Sequence, residues 1–325
     1  MAVAGATMDA NPLNLDGLAV GLCTYKRLSS LERLLEHIAI AARTLAQAPQ
    51  VIVVDNDGND PAVQAAVDAF ALRSGLVIHC LIERRPGISA ARNLVFDKAD
   101  SLKVRFVAMI DDDEWPSESW LAALLAEQSR SRATVVGGPV APVFPVGHEN
   151  LQRHARYWSV QPQTLEGRPF VFCTCNFLID MAAIASLPRP LFDDAFGLSG
   201  GGDTVFFRTL FYAGHAMAWT KEALVHEEVP QSRASFQWLR QRRYRVGNHA
   251  VRWEMVGSGP VRSLLKTVGL TARLLIYPLL GREPESPWVG WLLEYDKVRG
   301  RYASHWGDVF VEYARTPAPG EKACR

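Results

Sequence analysis

Apolar residues follow two different spacings in the first half of the chain. Short runs that are apolar throughout predict buried strands, and apolar positions that recur every three to four residues predict amphipathic helices. The predicted strands cover residues 18–24, 51–54, 76–82 and 104–110, and the predicted helices cover residues 29–46, 61–73 and 89–98. Uniformly apolar strands separated by helices are typical of a parallel sheet with helices on both faces. We therefore predict an α/β protein with a mainly parallel central sheet.

The pattern changes after residue 134. Short strands now mix with loops rich in proline and glycine, and a strand is predicted over residues 170–179 and a helix over residues 204–212. Beyond Glu254 the composition shifts to apolar helices. The predicted division is a leader of residues 1–16, a main domain of residues 17–254 with halves 17–134 and 135–254, and a helical extension of residues 255–325.

Polar residues gather where the predicted strands end. Thr-Tyr-Lys-Arg (24–27) follows the first strand, Asp-Asn-Asp (55–57) the second, and Asp-Asp-Asp-Glu (111–114) the fourth. Sheets of this kind bind ligands beside the carboxyl ends of their strands, so the chemistry is expected there.

The four consecutive acids at 111–114 are the strongest single signal. Their charges repel one another, so they persist together where a cation compensates them. A hard divalent ion such as Mg²⁺ or Mn²⁺ is usually held by one or two carboxylates plus substrate phosphates. An acidic turn that begins a helix near Pro116 is the alternative, because Asp and Glu favour helix N-termini.

Five segments together resemble a known family. They are Cys-Thr-Tyr-Lys-Arg (23–27), Val-Val-Asp-Asn-Asp-Gly (53–58), Pro-Gly-Ile-Ser-Ala-Ala-Arg-Asn (86–93), Ile-Asp-Asp-Asp-Glu (110–114) and Gly-Gly-Gly-Asp (200–203). In their order and spacing the chain resembles the family 2 glycosyltransferases of GT-A fold over about residues 18–248, and in particular the bacterial exopolysaccharide enzymes of the succinoglycan type. The resemblance implies a hexosyltransferase that moves a sugar from a nucleotide diphosphate donor, a UDP-sugar in the first instance, to a hydroxyl.

The resemblance also implies roles around the nucleotide. Thr24 and Tyr25 would line the nucleobase, Asp55 would contact the base or the ribose, and Arg92 would help to hold the nucleotide. A salt bridge on a helix surface is the alternative for Arg92. With the ribose-facing Asp111, the implied nucleotide-binding set is Thr24, Tyr25, Asp55, Arg92, Asp111 and Asp112.

A divalent metal, Mn²⁺ or Mg²⁺, is the implied cofactor. Asp113 would ligate the metal that bridges the diphosphate, and His226 lies where relatives often place a histidine that contacts metal or diphosphate. A diphosphate is a poor leaving group until its charge is neutralised, which a metal does as a Lewis acid. A structural role is the alternative for His226.

Four residues of the second half are implied at the acceptor or the diphosphate. Asn176, in Cys-Thr-Cys-Asn, resembles a strand residue that faces the acceptor pocket, and a strand-edge role is the alternative. Arg240, Arg243 and Tyr244 loosely resemble the Gln-x-x-Arg-Trp motif of processive relatives. The match departs at its first and last positions, which argues against processive synthesis. A solvated basic helix face is the alternative for these arginines.

Asp203 is the candidate general base of an inverting transfer. It follows a run of glycines, and glycine lets the backbone approach a sugar closely. Relatives place their base at the start of a helix after such a loop, usually as Glu-Asp, whereas Gly202 replaces the Glu here. An aspartate before a helix is also a good N-cap, which is the alternative.

Charge and cysteine content restrict the partners and the compartment. The chain has 35 basic and 34 acidic residues, a formal net charge of +1, which does not favour nucleic acid as a partner. The expected partners are a nucleotide-sugar donor and a glycan or lipid-linked glycan acceptor. Five cysteines without a zinc-type spacing predict a reducing, cytoplasmic compartment, and residues 1–14 show no signal-peptide pattern.

Residues 263–280 combine leucines with Lys266 and Arg273 and are interrupted by Pro278. The segment is too polar for a confident membrane span but suits a helix that lies in the membrane interface. On that interpretation the protein is peripheral on the inner face of the cell membrane. A helix packed on the main domain is the alternative.

Two other functional classes share some of these features. A sugar-phosphate nucleotidyltransferase also combines nucleotide, metal and an α/β sheet, but it carries a glycine-rich basic loop after the first strand, and residues 20–27 contain a single glycine. A non-catalytic nucleotide- or glycan-binding relative would be expected to lose the base or the metal ligand, and both are present.

Overall fold

The computed structural model describes residues 17–58, 61–196, 201–277, 287–308 and 310. The predicted leader, residues 197–200 (which include the first glycine of the Gly-Gly-Gly-Asp segment) and Pro278 lie outside the described residues. The helices are α1 (Leu28–Ala42), α2 (Pro61–Ser74), α3 (Ile88–Leu102), α4 (Trp120–Ser131), α5 (Met181–Ile184), α6 (Gly202–Tyr212), α7 (Phe236–Ile276) and α8 (Pro287–His305). Short 3₁₀ helices occupy Glu149–Tyr157, Asp194–Phe196 and Gln231–Arg233.

The strands form one large sheet and two small ones. They are β1 (Leu18–Thr24), β2 (Gln50–Asp55), β3 (Ile78–Ile82), β4 (Phe106–Ile110), β5 (Glu114–Pro116), β6 (Val135–Gly137), β7 (Val140–Val143), β8 (Gln163–Leu165), β9 (Arg168–Phe170), β10 (Asn176–Asp180), β11 (Met217–Trp219) and β12 (Val225–Glu228). Among the described residues, the large sheet has the order β11-β6-β10-β4-β1-β2-β3. Only β10 runs antiparallel to its neighbours in that sheet. The predicted mainly parallel sheet is confirmed.

Both faces of the large sheet are covered, which explains why its strands are apolar throughout. Along β1, Val20 and Leu22 pack into the core below α1, α2 and α4, whereas Ala19 packs into the core below α3 and α6. Consecutive residues of a strand point to opposite faces, so a strand buried on both sides needs an apolar residue at each position.

The predicted strand over residues 170–179 is wrong in its extent. The structure divides it into β9, which forms a hairpin with β8, and β10, which joins the large sheet between β4 and β6. Residues 171–175 connect the two in irregular conformation. The apolar run continues through the connection because Val171 and Cys175 are buried there.

The chain reverses direction within α7. Gly259 has φ +80° and is followed by Pro260, so the helix consists of two pieces, which we call the proximal segment (236–258) and the distal segment (260–276). Glu254 accepts hydrogen bonds from Ser263 (3.2 Å) and Lys266 (2.5 Å). Twelve residues of unbroken helix would separate the last pair by about 18 Å. The two segments must therefore lie side by side, and α8 packs against both. Residue 254, where the predicted main domain ends, falls within α7.

Among the described residues, none of the helices combines the length and the apolarity needed to cross a bilayer.

Candidate active site

The first, second and fourth strands deliver their polar ends to one edge of the sheet. β1 lies between β2 and β4, and Thr24 is in register with Asp55. A cavity of about 500 Å³ opens beside these ends. It is lined by Cys23, Thr24, Tyr25, Arg27, Asn56, Gly87, Ile88, Arg92, Asp111, Asp112, Asp113, Glu227 and Arg233. Six of the predicted site residues therefore meet in one cavity: Thr24, Tyr25, Arg92, Asp111, Asp112 and Asp113.

Arg27 and Thr24 hold the aspartate turn that follows β4. Nη1 of Arg27 donates to Oδ1 of Asp112 at 2.8 Å and to Oδ2 of Asp113 at 2.7 Å. The Thr24 hydroxyl donates to the other carboxylate oxygen of Asp112 at 2.9 Å. Asp112 is thus buried and fully engaged within the protein, whereas Asp113 is partly open to the cavity.

Asp111 faces Arg92 across the cavity floor, with Oδ1 3.7 Å from Nη2. Burial raises the pKa of Asp111 to about 6, the Arg92 charge opposes this rise, and the charges of Asp113, Asp112 and Asp203 add to it. Arg92 lies on α3, the helix of the Ala-Arg-Asn segment, and points into the cavity rather than out to solvent.

Glu114, the fourth acid, does not belong to the cavity. It begins β5, is buried, and its carboxylate accepts a hydrogen bond from the backbone N–H of Asp111 at 3.0 Å. Burial raises its pKa well above the ordinary value, so it is readily kept neutral. Its role in the structure is to shape the turn that presents the other three acids.

Asp55 also shapes a loop. It is buried, and its two oxygens accept the backbone N–H groups of Asp57 (2.9 Å) and Gly58 (3.1 Å). The next residue, Asn56, lines the cavity, and its amide donates to the carbonyls of Glu83 (2.9 Å) and Arg85 (2.8 Å). Tyr25 stands exposed at the rim, where its ring can stack on a planar ligand.

His226 lies on the wrong side of its strand for the predicted metal contact. β12 pairs with β5, and the His226 ring stacks on Trp115 with centroids 5.7 Å apart. The next residue, Glu227, lines the cavity instead, because neighbouring residues of a strand point in opposite directions. Burial raises the pKa of Glu227 to about 7, Arg242 lowers it, and Asp113 raises it further.

Arg240, Arg243 and Tyr244 turn away from the cavity and join α7 to α8. Arg240 pairs with Asp296 at 2.6 Å, Arg243 pairs with Glu294, and the Tyr244 hydroxyl donates to Asp308 at 3.1 Å. This placement does not agree with their predicted contact with acceptor or diphosphate, because their side chains pair with residues of α8 and of the chain that follows it.

Two other arginines of the same region face the acids. Nη1 of Arg233 lies 4.0 Å from both Asp113 and Glu227. Arg242 is partly buried; desolvation lowers its pKa, and the nearby charge of Glu227 opposes that shift. Neither arginine was among the residues predicted at the acceptor or the diphosphate, which were Asn176, Arg240, Arg243 and Tyr244.

Asn176 has no free hydrogen-bonding group toward a pocket. It is fully buried at the start of β10, accepts from the Trp120 indole at 2.8 Å, and donates to the carbonyls of Pro139 (3.0 Å) and Ala223 (2.8 Å). It joins the large sheet to the loops around it, so its placement fits the structural alternative better than contact with an acceptor.

Asp203 lies in the first turn of α6 rather than before it. The helix begins at Gly202 after Gly201, which has φ +88° and makes no side-chain cap. Oδ1 of Asp203 accepts the backbone N–H of the adjacent Thr204 at 2.7 Å. Asp203 does not line the cavity, but it is near enough for its charge to act on Asp111.

The cavity offers oxygen ligands suited to a hard divalent cation. Asp111, Asp113 and Glu227 all line it, and like charges raise the pKa values of Asp111 and Glu227 in addition to burial. A cation among them would relieve that repulsion. No group of three or more metal-binding side chains is preassembled within the described part of the chain. One or two carboxylates with substrate phosphates are the usual Mg²⁺ site, so the acids fit a metal that arrives with the donor.

Comparison with known proteins identifies the class of protein. The sequence profile of the family described as Glycosyl transferase family 2 matches residues 19–187. The mannosyltransferase PcManGT from Pyrobaculum calidifontis, solved in complex with GDP-Man and Mn²⁺, superposes with a TM-score of 0.57 at 17% identity, over 91% of this chain and 89% of its own. The predicted GT-A fold is confirmed: the protein is a glycosyltransferase.

Sequence relatives narrow the assignment. The succinoglycan biosynthesis protein ExoM of Rhizobium meliloti is 36% identical over 231 residues, which cover 70% of this chain and 72% of the relative. The glycosyltransferase AglE of Haloferax volcanii is 23% identical over 83% of this chain and 82% of its own. The chain belongs to glycosyltransferase family 2.

Proposed function

We propose that the protein is a metal-dependent, inverting glycosyltransferase that moves a sugar from a nucleotide diphosphate donor to a hydroxyl of a glycan or lipid-linked glycan. The observation that carries the proposal is the cavity at the carboxyl ends of the strands, where an exposed tyrosine, three arginines and four acids converge. A nucleotide sugar needs these groups together: a surface for its base, cations for its phosphates and carboxylates for a metal.

The donor would span the cavity. Tyr25 at the rim would stack on the base. Thr24 and the loop held by Asp55 would contact the nucleoside. Arg92 and Arg233 can receive phosphate oxygens, since guanidinium groups match phosphate geometry. The finding that a neighbour of similar fold was solved with GDP-Man and Mn²⁺ supports the general donor class. A UDP-sugar is the donor that we propose to test first.

A divalent metal, Mn²⁺ or Mg²⁺, would be held by Asp113, with Asp111 or Glu227 as the second carboxylate. When bound, it neutralises the charge that develops on the leaving diphosphate. Arg27 donates a hydrogen bond to Asp113 at 2.7 Å. When the metal binds, this hydrogen bond would weaken, whereas the one from Arg27 to Asp112 would remain. We propose Glu227 in place of His226 as the acid contributed by β12.

Asp203 is the proposed general base. The acceptor hydroxyl loses its proton as it attacks the anomeric carbon from the face opposite the diphosphate. The C–O bond to the diphosphate breaks as the new C–O bond forms, so no covalent enzyme intermediate is needed. Burial raises the pKa of Cys23 to about 12, which makes that cavity thiol unsuited to act as a nucleophile. Because Gly201 rather than Asp203 precedes the helix, the carboxylate is not needed as its cap.

We place the enzyme in the cytoplasm, peripheral on the inner face of the cell membrane when its acceptor is lipid-linked. The similarity to a succinoglycan biosynthesis protein supports a role in polysaccharide assembly.

Transfer from labelled nucleotide sugars tests the proposal directly. Purified protein is incubated with UDP-, GDP- and dTDP-sugars, a panel of glycan and lipid-linked acceptors, and either Mn²⁺ or EDTA. The expected result is a labelled product of inverted anomeric configuration whose formation requires the metal. Pyrophosphate-dependent exchange of a sugar phosphate into the donor would instead show a nucleotidyltransferase. Donor binding without any product across the panel would favour a non-catalytic relative.

A further inference from the structure

The distal segment of α7 has inverted polarity. Its inward side carries Ser263, Thr267 and Thr271, and the first two of these are at most 1% exposed. Helices at the surface of soluble proteins usually bury an apolar stripe and expose polar residues. Here a row of hydroxyl groups faces the neighbouring helices instead.

A hydrogen-bond network accounts for the polar inward side. Arg301 of α8, buried at 1% exposure, donates to Thr267 Oγ1 at 2.9 Å and to Glu254 Oε2 at 2.5 Å. Thr267 also meets the His305 ring at 3.1 Å, and Thr271 meets the Tyr302 hydroxyl at 3.0 Å. These contacts fix which side of the distal segment faces inward.

The outward side is apolar as a consequence. Its large residues are 45–82% exposed and are Val261, Leu264, Leu265, Val268, Leu275 and Ile276. At about 100° per residue they form one continuous stripe roughly 120° wide, with Ala272 along its centre. Nothing among the described residues buries this stripe, and an exposed apolar patch of this kind marks an interaction site.

The charges beside the stripe indicate what covers it. Arg262 and Arg273 are exposed along one flank, with Lys266 beside them, and the sequence has no Asp or Glu in residues 255–277. In a two-fold dimer the same patch meets itself, so self-association through this stripe would bring cationic flanks near each other. An anionic membrane surface accepts both the apolar stripe and the cations.

We propose that the outward side of the distal segment, which we call the apolar stripe, docks on the interface of a membrane that contains anionic lipid. The helix lies in the plane of the interface, with its leucines below the headgroups and its arginines on the phosphates. The proposal rests on the peripheral location proposed above but not on the transfer chemistry. Its failure would leave sugar transfer to soluble acceptors unaffected.

Flotation with lipid vesicles tests the docking. The full chain is mixed with vesicles of phosphatidylcholine alone, or with added phosphatidylglycerol, and is floated at low and at high salt. The wild-type protein should float with the anionic vesicles and should be partly released by salt. Leu265→Glu and Leu275→Glu should each lower the partition coefficient about tenfold or more, because each removes apolar burial. Arg262→Gln and Arg273→Gln should each lower it about fivefold on anionic vesicles only.

Matched controls separate docking from folding. Leu72→Glu changes a leucine of α2 that is as exposed as Leu275 and should float like the wild type. All variants should keep the wild-type circular dichroism spectrum and turnover on a soluble acceptor. The proposal is overturned if the wild type stays unbound on anionic vesicles, or if Leu265→Glu and Leu275→Glu float like Leu72→Glu. It is also overturned if light scattering shows a dimer that these two substitutions dissociate and that does not float.

Discussion

Arg27 balances the two carboxylates around which the proposed chemistry is arranged. One guanidinium nitrogen contacts both Asp112 and Asp113, and Asp112 is held a second time by Thr24. Among the described residues, Arg27 alone donates a hydrogen bond to the Asp113 carboxylate, and Arg233 lies farther away at 4.0 Å. Asp113 is therefore the residue of the pair that can exchange a protein cation for a metal without loss of the turn.

The first prediction concerns Asp113→Asn. The variant should lose Mn²⁺-stimulated donor binding and about 10²-fold or more in turnover, because an amide cannot neutralise the metal as a carboxylate does. Isothermal calorimetry with a UDP-sugar, with and without Mn²⁺, measures the first effect. Asp100→Asn is the matched control and should behave as wild type. Asp100 lies at the end of α3 away from Arg92 and pairs with Arg189. An unchanged response to Mn²⁺ in Asp113→Asn would remove this residue from the metal site.

The second prediction concerns Asp203→Asn. Loss of a general base should lower kcat by roughly two to four orders of magnitude at unchanged donor affinity. Asparagine caps a helix as well as aspartate does, so a purely structural role predicts little change in either kcat or stability. Asp180→Ala is the contrasting control: Asp180 caps α5 through Ala182 and pairs with Arg105 at 2.5 Å, so the substitution should cost at least about 1 kcal/mol of stability while leaving turnover intact. Near-normal kcat in Asp203→Asn, or retention of anomeric configuration, would contradict the assignment.

Single residues also show where sequence reasoning succeeds. The acids after β4, the Thr-Tyr pair after β1 and Arg92 follow directly from strand ends and motif order, and they do meet in the cavity. The structure stacks His226 on Trp115 and turns Glu227 into the cavity, because neighbouring residues of a strand point to opposite faces. Only the pairing of β12 with β5 reveals which face meets the cavity, and this pairing joins residues more than 100 positions apart.

Among the elements, α7 contacts both the candidate active site and α8. Its proximal segment presents Arg242 to the acids and Arg240 to α8, so arginines two positions apart have different partners. The sequence shows that this region is rich in arginine. It does not show that Arg240 and Arg243 pair with acids of α8. The chain reversal at Gly259 could not be predicted either, because a Gly-Pro pair indicates that a helix is interrupted but not that the chain turns back.

The third prediction compares two glycines of α7. Gly259 has φ +80° and ψ 163°, a region essentially restricted to glycine that costs another residue about 1–3 kcal/mol, so Gly259→Ala should lower the free energy of unfolding by that amount. Gly269 lies within the distal segment, with no atom within 4 Å of an added Cβ, so Gly269→Ala should raise stability by about 0.5–1 kcal/mol. Urea denaturation of both variants measures the difference, and equal effects would contradict the sharp reversal.

For the whole molecule, the C-terminal helices are joined by charge as much as by apolar contact. Arg301 and Glu254 form a buried pair at 2.5 Å, and Lys266 adds a half-exposed third member at 2.5 Å from Glu254. Breaking a buried pair leaves an uncompensated charge and typically costs about 3–5 kcal/mol. No local pattern predicts such a pair from sequence, since its members lie in different helices and neither is apolar.

The fourth prediction concerns the pH dependence of stability. Burial raises the pKa of Glu254, but hydrogen bonds and charge from Arg301 and Lys266 outweigh it and leave the pKa below its ordinary value of 4.5. The carboxylate therefore stabilises the fold above about pH 4.5, and this stabilisation is lost as the pH falls through the folded-state pKa. Glu254→Gln should be strongly destabilised near neutral pH, and its deficit relative to wild type should shrink as the pH falls below the ordinary value of 4.5 and through the folded-state pKa. Lys266→Gln, the exposed partner, should cost at most about 1 kcal/mol. A deficit that is independent of pH would contradict the charged pair.

The pairing of Glu254 with Arg301 also orders events during synthesis. The two residues are 47 positions apart, and the arginine is made last. At about 5–20 residues per second, the ribosome adds Arg301 several seconds after Glu254. The large sheet is complete by then, because its final strand ends at Trp219. The strands of the large sheet can thus pair while Glu254 is still hydrated and unpaired, and the C-terminal helices close only after Arg301 has been added.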